Sequence, residues 1–231
     1  TNTGAITVTN TIDINGSGSE VQAAFAAINT NTGEATANIT GTDYTIAQLK
    51  AINAATDGAI VLADASGALS GTVADIKAAF AGTVTEHTGT LEITDANGVD
   101  ITATDITDIN GTNTGTITVT NTIDINGSGS EVQAAFAAID TNTGNATANI
   151  TGTDYTVAQL KAINNATDGA IVLATSTNQA LSGDATDLAA ALAGTINYTG
   201  DVTVTDSAYT VTELKTINAG TSGEITLTDA G

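Results

Sequence analysis

The 231-residue chain contains no Cys, Pro, Met or Trp, and only four Lys and Arg residues stand against 25 Asp and Glu residues. The missing Cys excludes disulfides, thiol nucleophiles and thiolate metal ligands. The formal net charge of -21 leaves too few cations to neutralise phosphates, so we expect no nucleic-acid partner. No apolar run approaches the roughly 18 residues that a membrane span needs, so we also expect no membrane insertion.

Aromatic residues are also scarce, at 3% of the chain, whereas hydrophobic residues make up 41%. A core without large aromatic side chains must consist of Ile, Leu, Val and Ala, and is therefore thin. The high net charge favours disorder, but the regular spacing of the apolar residues argues against it. Thin cores are typical of repeat proteins, in which each unit is stabilised by its neighbours.

The chain is rich in internal repeats. The stretch Asp43–Leu62 recurs without a gap in three places: Asp100–Val119, Asp154–Leu173 and Ala208–Leu227. On a longer scale, the first half of the chain matches the second, with Tyr44 matching Tyr155; the second copy differs mainly after Leu173, where one residue is inserted and one is lost again near Asn197. We therefore predict one continuous repeat array over residues 1–231, with a long repeat at 1–111 and a second copy at 112–231. The absent initiator Met and the start inside a repeat also predict a segment of a longer chain.

One copy, Asp154–Leu173, shows what each repeat encodes. Thr156 with Gln159 three residues later is the pattern of a capping box, which satisfies free N–H groups at a helix start. Leu160 lies in a narrow apolar stripe with neighbours three residues away on each side, which predicts a short helix. Gly169 permits a turn, and the β-branched run Ala170–Leu173 predicts a strand.

Candidate helix N-caps recur about every 27 residues along the chain. They are Ser19, Thr45, Thr72, Thr102, Ser130, Thr156, Asp184 and Thr210. Parallel strands joined by helices form right-handed βαβ connections. We therefore predict an α/β repeat solenoid of about eight short helix–strand units with a parallel sheet. The alternative is a closed (β/α)8-like barrel, although these elements are short for that fold.

No nucleophile elbow, P-loop or zinc-ligand spacing occurs, so we expect that the protein is not an enzyme and has no catalytic residues. His87 is the only histidine, and the second long repeat has Tyr198 at the aligned position. A Tyr in the duplicate argues against a catalytic base, so the sequence predicts that His87 is a polar surface residue.

One local pattern suggests calcium, the only cofactor that the sequence indicates. Oxygen-bearing residues alternate around a glycine, as in an EF-hand loop, but the bidentate Glu at the twelfth position is missing. The candidate ligands are Asp13, Asn15, Ser17 and Glu20, repeated as Asp124, Asn126, Ser128 and Glu131. The alternative interpretation of the same residues is a strand end, a turn and a helix N-cap.

The units YTVAQLKAIN…TDGAIVL, ALSG…DLAAALAGTINYTGDVTVTDS and AYTVTELKTIN…GEITL resemble tandem repeats of giant secreted cell-surface proteins of bacteria, especially marine cyanobacteria. The resemblance covers nearly the whole chain. It implies an extracellular or cell-surface location and a structural or adhesive role. Large adhesins of this kind often bind calcium in acidic repeats, but their glycine-aspartate nonapeptide is absent here.

Two functions follow as expectations. The first is a rigid, acidic spacer or filament-forming segment, whose partner is the chain itself through end-to-end stacking or neighbouring repeats. The second is an adhesin-type module that binds a surface glycan or protein ligand. A glycan site relies on clustered aromatic side chains, so the two differ in whether the repeat-equivalent residues Tyr44, Tyr155 and Tyr209 lie exposed in a row.

Overall fold

The computed structural model describes residues 3–174 and 179–228, which form an α/β structure with only parallel strand pairing. The helices are short, with seven to ten residues each. Eight lie in the described ranges: α1 Gly18–Ala27, α2 Ile46–Asn53, α3 Val73–Ala79, α4 Ala103–Asn110, α5 Gly129–Ala138, α6 Val157–Ala166, α7 Ala185–Ala191 and α8 Val211–Gly220.

The strands are shorter still, with two to four residues each. They are β1 Thr7–Val8, β2 Asp13–Gly16, β3 Thr30–Asn31, β4 Thr36–Ile39, β5 Ile60–Leu62, β6 Leu69–Gly71, β7 Leu91–Ile93, β8 Asp100–Thr102, β9 Ile117–Val119, β10 Asp124–Gly127, β11 Thr141–Asn142, β12 Thr147–Ile150, β13 Ile171–Leu173, β14 Leu181–Gly183, β15 Val202–Val204 and β16 Ile225–Leu227.

The chain divides into two compact units. Unit 1 comprises residues 1–95 and 108–118, and unit 2 comprises residues 96–107 and 119–231. In unit 1 the sheets contain the strand orders β2–β4–β5 and β6–β7–β9, with β1 paired to β3. In unit 2 they run β8–β10–β12–β13 and β14–β15–β16. No closed barrel is found, because each sheet in the described parts of the chain is an open row.

The same pairing register occurs in both units. In unit 1, Asn15 of β2 pairs with Asn38 of β4, and their side chains hydrogen-bond across a separation of 23 residues. In unit 2, Asn126 of β10 pairs with Asn149 of β12 at the same separation along the chain. The duplicated sequence thus folds twice into the same arrangement, and each extended segment pairs with the segment that follows the next helix.

The strands and the helices advance by different lengths of chain. The N-caps of α1, α2 and α3 are Ser17, Thr45 and Thr72. The steps between them are longer than the step from Asn15 to its strand partner Asn38. Consequently β2 directly precedes α1, β4 lies between α1 and α2, and β5 follows α2. Helices pack about 8–10 Å apart, but paired strands lie only about 4.8 Å apart. Strand partners are therefore separated by fewer residues than successive helix caps, and we call this difference the drift of the strands relative to the helices. The drift accommodates both spacings.

The predicted helix–strand alternation is confirmed, with three corrections. Ser17 and Ser128 are the N-caps of α1 and α5, rather than the predicted Ser19 and Ser130. Strands come in pairs rather than singly, since short strands such as β2, β6 and β8 precede the helices. Paired strands follow one another at shorter steps along the chain than the predicted repeat of the helix caps. Successive helix caps are farther apart along the chain because packed helices lie farther apart in space than paired strands do.

Each unit has its own aliphatic core, which lies between its helices and its strands. In unit 1, the side chains of Leu49 and Ile52 in α2 and of Ile39 and Ile60 in the β2–β4–β5 sheet are all at most 1% exposed. In unit 2, Leu160 and Ile163 occupy the equivalent positions and are fully buried. Burial of an Ile or Leu side chain stabilises the folded state by about 1.5–3 kcal/mol, so these buried aliphatic residues are a major source of the stability of each unit.

A Thr-x-Gly clasp joins each turn to the preceding extended segment. Thr167 Oγ1 donates to the Ala146 carbonyl at 2.7 Å and accepts from the Gly169 N–H at 3.0 Å. Thr56 makes the same two contacts in unit 1, with Ala35 and Gly58. Because the clasp draws two backbone segments together, a Cβ placed on Gly169 would lie only 2.4 Å from the Asn145 carbonyl oxygen.

The clasp yields a direct stability test. We expect Gly169→Ala to lower the free energy of unfolding by about 1–3 kcal/mol, because the new methyl group must displace backbone rather than a flexible side chain. Gly183→Ala is the matched control, since its nearest contact would be Leu188 Cγ at 3.8 Å, and we expect it to stay within about 0.5 kcal/mol of the parent. Urea unfolding measures both, and equal effects of the two substitutions would contradict close backbone stacking.

Candidate functional site

The predicted calcium ligands of the first repeat lie along β2 and at the start of α1. Ser17 is the N-cap of α1, and its N–H and Oγ both donate to Glu20 Oε2, at 2.9 and 2.8 Å. Asn15 extends from the strand, where its Oδ1 accepts from Asn38 Nδ2 at 3.1 Å and its own amide donates to the Asp13 carbonyl at 3.3 Å. Ser17 and Glu20 are thus brought together in a capping box.

The second copy has the same arrangement around β10 and α5. Ser128 and Glu131 form the capping box, with both Ser128 bonds to Oε2 at 2.8 Å. Asn126 Nδ2 donates to Asp100 Oδ1 at 3.0 Å and to the Asp124 carbonyl at 2.9 Å. In the described ranges, no group of three or more His, Cys, Asp or Glu side chains is arranged to hold a metal ion. Calcium binding therefore stays a prediction.

The capping carboxylates give the folded state a defined pH response. Hydrogen bonds from the Ser17 backbone and hydroxyl groups lower the pKa of Glu20 below its ordinary 4.5, and Ser128 acts in the same way on Glu131. A group with a lowered folded-state pKa stabilises the fold above its unfolded pKa and loses this contribution as the pH falls through the folded value. The contribution is thus complete at neutral pH and disappears below about pH 4.5.

This pH response predicts the behaviour of a Glu20→Gln, Glu131→Gln double variant. At pH 7 we expect a stability close to that of the parent, since Gln48 and Gln159 close equivalent capping boxes on α2 and α6. Between pH 5 and 3 its stability should fall less steeply than that of the parent. Thermal unfolding at several pH values measures this, and parallel curves would contradict the role of the two carboxylates.

The same variant tests the calcium prediction, because it removes a candidate ligand from each loop and keeps the helix caps. Calorimetry of the parent should show a response to calcium, with magnesium as a control for general screening of the charge of -21. We expect this variant and an Asp13→Ala, Asp124→Ala double variant both to lose the calcium response. If both variants respond to calcium as the parent does, these eight residues are not its site.

The prediction that His87 is a surface residue is wrong, since its side chain is fully buried in unit 1. Its Nε2 donates to the Gly67 carbonyl at 2.7 Å, and its Nδ1 lies 2.8 Å from Asn113 Oδ1. Asn113 is oriented by its own bond to the Gly115 carbonyl at 2.7 Å. The ring therefore joins three successive extended segments, and its polar atoms have partners that allow it to be buried.

Tyr198 does the same work in unit 2. Its hydroxyl donates to the Gln179 carbonyl at 2.7 Å and accepts from the Leu181 N–H at 3.1 Å, and the side chain is 3% exposed. Gln179 and Gly67 are equivalent, because each lies two residues before the Leu that begins a strand. In both long repeats, therefore, a buried aromatic side chain donates a hydrogen bond to the equivalent backbone carbonyl, of Gly67 or of Gln179. This is a structural role rather than acid–base chemistry.

Removal of the imidazole tests this role. We expect His87→Ala to cost about 2–4 kcal/mol of unfolding free energy, because Gly67 and Asn113 each lose a buried hydrogen-bond partner and a cavity remains. Its exposed neighbour is the control, since Glu86→Ala should have an effect below about 0.5 kcal/mol. A His87→Ala variant as stable as the control would show that the ring has no structural role.

The tyrosines that distinguish the two expected functions do not form an exposed row. Tyr44 is 2% exposed and Tyr155 is fully buried, whereas Tyr209 is 39% exposed. The Tyr44 hydroxyl donates to the Asp64 carbonyl at 3.0 Å, and burial raises the pKa of Tyr44 to about 12. Two of the three rings thus pack inside their own units, where they are inaccessible to a sugar.

Lysines join successive helices on the outer surface. Lys50 Nζ of α2 lies 2.5 Å from Asp75 Oδ1 of α3, and Lys161 of α6 forms the equivalent ion pair with Asp187 of α7. All four side chains are between 38% and 49% exposed. Exposed pairs of this kind contribute only about 0–1 kcal/mol, so they align neighbouring helices more than they stabilise them.

An apolar groove lies between α3 and the end of α4, within unit 1. It has a volume of about 250 Å³ and is lined by Phe80 and Ile109, with the ion pair of Lys77 and Asp108 at 2.8 Å. Ligand sites usually enclose about 300–1,000 Å³ and contain several convergent polar groups. The groove falls below that size, so we interpret it as a gap in helix packing.

Comparisons of the chain with protein-family models, with curated proteins and with solved structures found no match. The site geometry and the fold are therefore the basis for any functional conclusion. No helix in the described ranges has the length and apolar character needed to cross a bilayer.

Proposed function

We propose that this chain is a rigid, acidic structural segment, built as an α/β repeat solenoid, that acts as an extracellular spacer or filament-forming part of a cell-surface protein. The observation that carries the proposal is the register that the two units share. Asp13 pairs with Thr36 and Asp124 with Thr147 at one common separation along the chain, and every described sheet is parallel. Such pairing between successive segments is how a solenoid propagates.

The packing of the helices supports the same proposal. In unit 1, α1 packs on α2 and α2 on α3; in unit 2, α5, α6, α7 and α8 pack in chain order. Within each of these two series, successive helices contact one another, which is the nearest-neighbour pattern of a repeat array. A protein built in this way gains length by adding units, without requiring a new core.

The charge distribution fits an exposed, solvated spacer. A formal net charge of -21 keeps neighbouring chains apart and opposes aggregation of short strands. Exposed and half-buried Asn side chains lie along the strands, as in the bond from Asn38 to Asn15. A polar outer face of this kind suits a segment that separates other parts of a surface protein.

The adhesin-type alternative receives less support. Glycan recognition requires accessible aromatic faces, but Tyr44 and Tyr155 are buried in the cores of their units. The spacer is therefore the function that the geometry favours.

Scattering from tandem chains tests the proposal. A chain and a covalent tandem of two copies would be compared by small-angle X-ray scattering, with circular dichroism to verify that both are folded. For a rod, the radius of gyration should approach twofold growth on duplication. For a compact protein it should grow about 1.3-fold, and for an unfolded chain about 1.5-fold. A ratio near 1.3 would contradict the spacer.

A further inference from the structure

The α8–β16 pair in unit 2 exposes side chains that its repeat equivalents bury. Tyr209 is 39% exposed, Val211 71% and Leu227 45%. The equivalent residues in the α2–β5 pair are Tyr44, Ile46 and Leu62, which are 2%, 3% and 4% exposed. We call the surface formed by Tyr209, Val211, Lys215 and Leu227 the α8 face.

The equivalent faces show which kind of element covers such a surface. In unit 1, β6 and α3 pack on α2, and in unit 2, β14 and α7 pack on α6. In unit 1 the contact is close, because a Cβ on Gly71 of β6 would lie 3.0 Å from Ile46 Cγ2. In both cases the cover has the same sequence pattern, a Leu-Ser-Gly strand followed directly by an alanine-rich helix.

Charge supplies a second, independent match. Lys50 and Lys161 each pair with the Asp at the third position of the covering helix, Asp75 or Asp187. Lys215 occupies the same position on α8, six residues after Tyr209, and its side chain is exposed. No ion pair of Lys215 is found in the described part of the chain, so its position suits an Asp at the third residue of a further helix.

We propose that the α8 face binds a further strand–helix unit of the Leu69–Ala79 kind, with Lys215 paired to the Asp at the third position of its helix. This inference rests on the proposed repeat array, which it deepens by naming the partner. The occupant is a Leu-Ser-Gly strand that packs on α8 and begins a new sheet, as β6 and β14 do, followed by a helix whose alanine side packs over Val211 and Leu214. Tyr209 then becomes buried, as Tyr44 and Tyr155 are.

An extended chain tests the assignment. Residues 223–228 align with 58–63 without a gap, and continuing that alignment matches residue 231 to Ser66. A copy of residues 67–82 fused after residue 231 would therefore place a covering unit in register. Hydrogen exchange of the amides of α8 is the readout, and we expect their exchange to slow by about tenfold or more.

Two matched controls separate specific docking from a mere increase in length. In the first, the copies of Leu69, Val73 and Ile76 in the extension become Ser, which should abolish the added protection. In the second, the copy of Asp75 becomes Lys, which places two cations together and should reduce the protection. Protection that is equal in all three extensions would contradict the assignment, as would an extension that leaves the exchange of α8 unchanged.

The result is distinguishable from a failure of the spacer itself. If tandem chains scatter as rods but the extension gives no protection, the array stands and the α8 face binds something other than this unit. If tandem chains scatter as compact particles, the array fails irrespective of the extension.

Discussion

The close parallel pairing of successive extended segments is the constraint on which the other features of each unit depend. Backbone segments that pair at about 4.8 Å leave no space for a side chain at the turns, which is why Gly58 and Gly169 stand where a Cβ would meet a carbonyl oxygen within 2.5 Å. The clasp hydroxyls of Thr56 and Thr167 satisfy the carbonyls at those turns. Burial of His87 and Tyr198 follows from the same geometry, since each bonds a carbonyl of an adjacent segment.

If helices and strands followed one another at the same step along the chain, the distance between packed helices would conflict with the shorter distance between paired strands. The drift of the strands relative to the helices resolves this conflict, because a ladder begins before one helix and ends after a later one, as β2, β4 and β5 do around α1 and α2. A new ladder must then start beside the next helix, which accounts for the short strands β6 and β14 directly before α3 and α7. The small Leu-Ser-Gly strands and alanine-rich helices fit where two ladders meet.

Much of this arrangement was predictable from the sequence. Helix positions followed from capping patterns, and Thr45, Thr72, Thr156, Asp184 and Thr210 are the N-caps that the sequence predicts. The predicted N-cap of α1, Ser19, lies two residues after the observed one, Ser17. Ser17, Ser19 and Glu20 allow two overlapping capping patterns, and only the contact of Ser17 with Glu20 decides between them. Strands of three residues, such as β6, are too short to show alternation.

Features that depend on contacts between distant segments could not be predicted. A lone polar His87 looks like a surface residue until Gly67 and Asn113 are placed beside it. The clasp did leave a signal in the sequence, since Thr56, Thr167 and Thr221 recur two residues before aligned glycines. For the candidate calcium ligands, alternating oxygen-bearing residues serve equally well as strand and cap, and the contacts of Ser17, Glu20 and Asn15 are those of strand and cap.

Disulfide trapping in this Cys-free chain measures the central register most directly. Asn38 and Val61 are register partners with outward side chains, so an Asn38→Cys, Val61→Cys variant should oxidise rapidly to an intramolecular disulfide, whose geometry needs Cα atoms about 4.4–6.8 Å apart. The control is an Asn38→Cys, Ser66→Cys variant, whose two cysteines are as far apart along the chain as the first two helix caps, Ser17 and Thr45. This pair should oxidise slowly. Faster trapping of this second pair would contradict the drift of strands against helices.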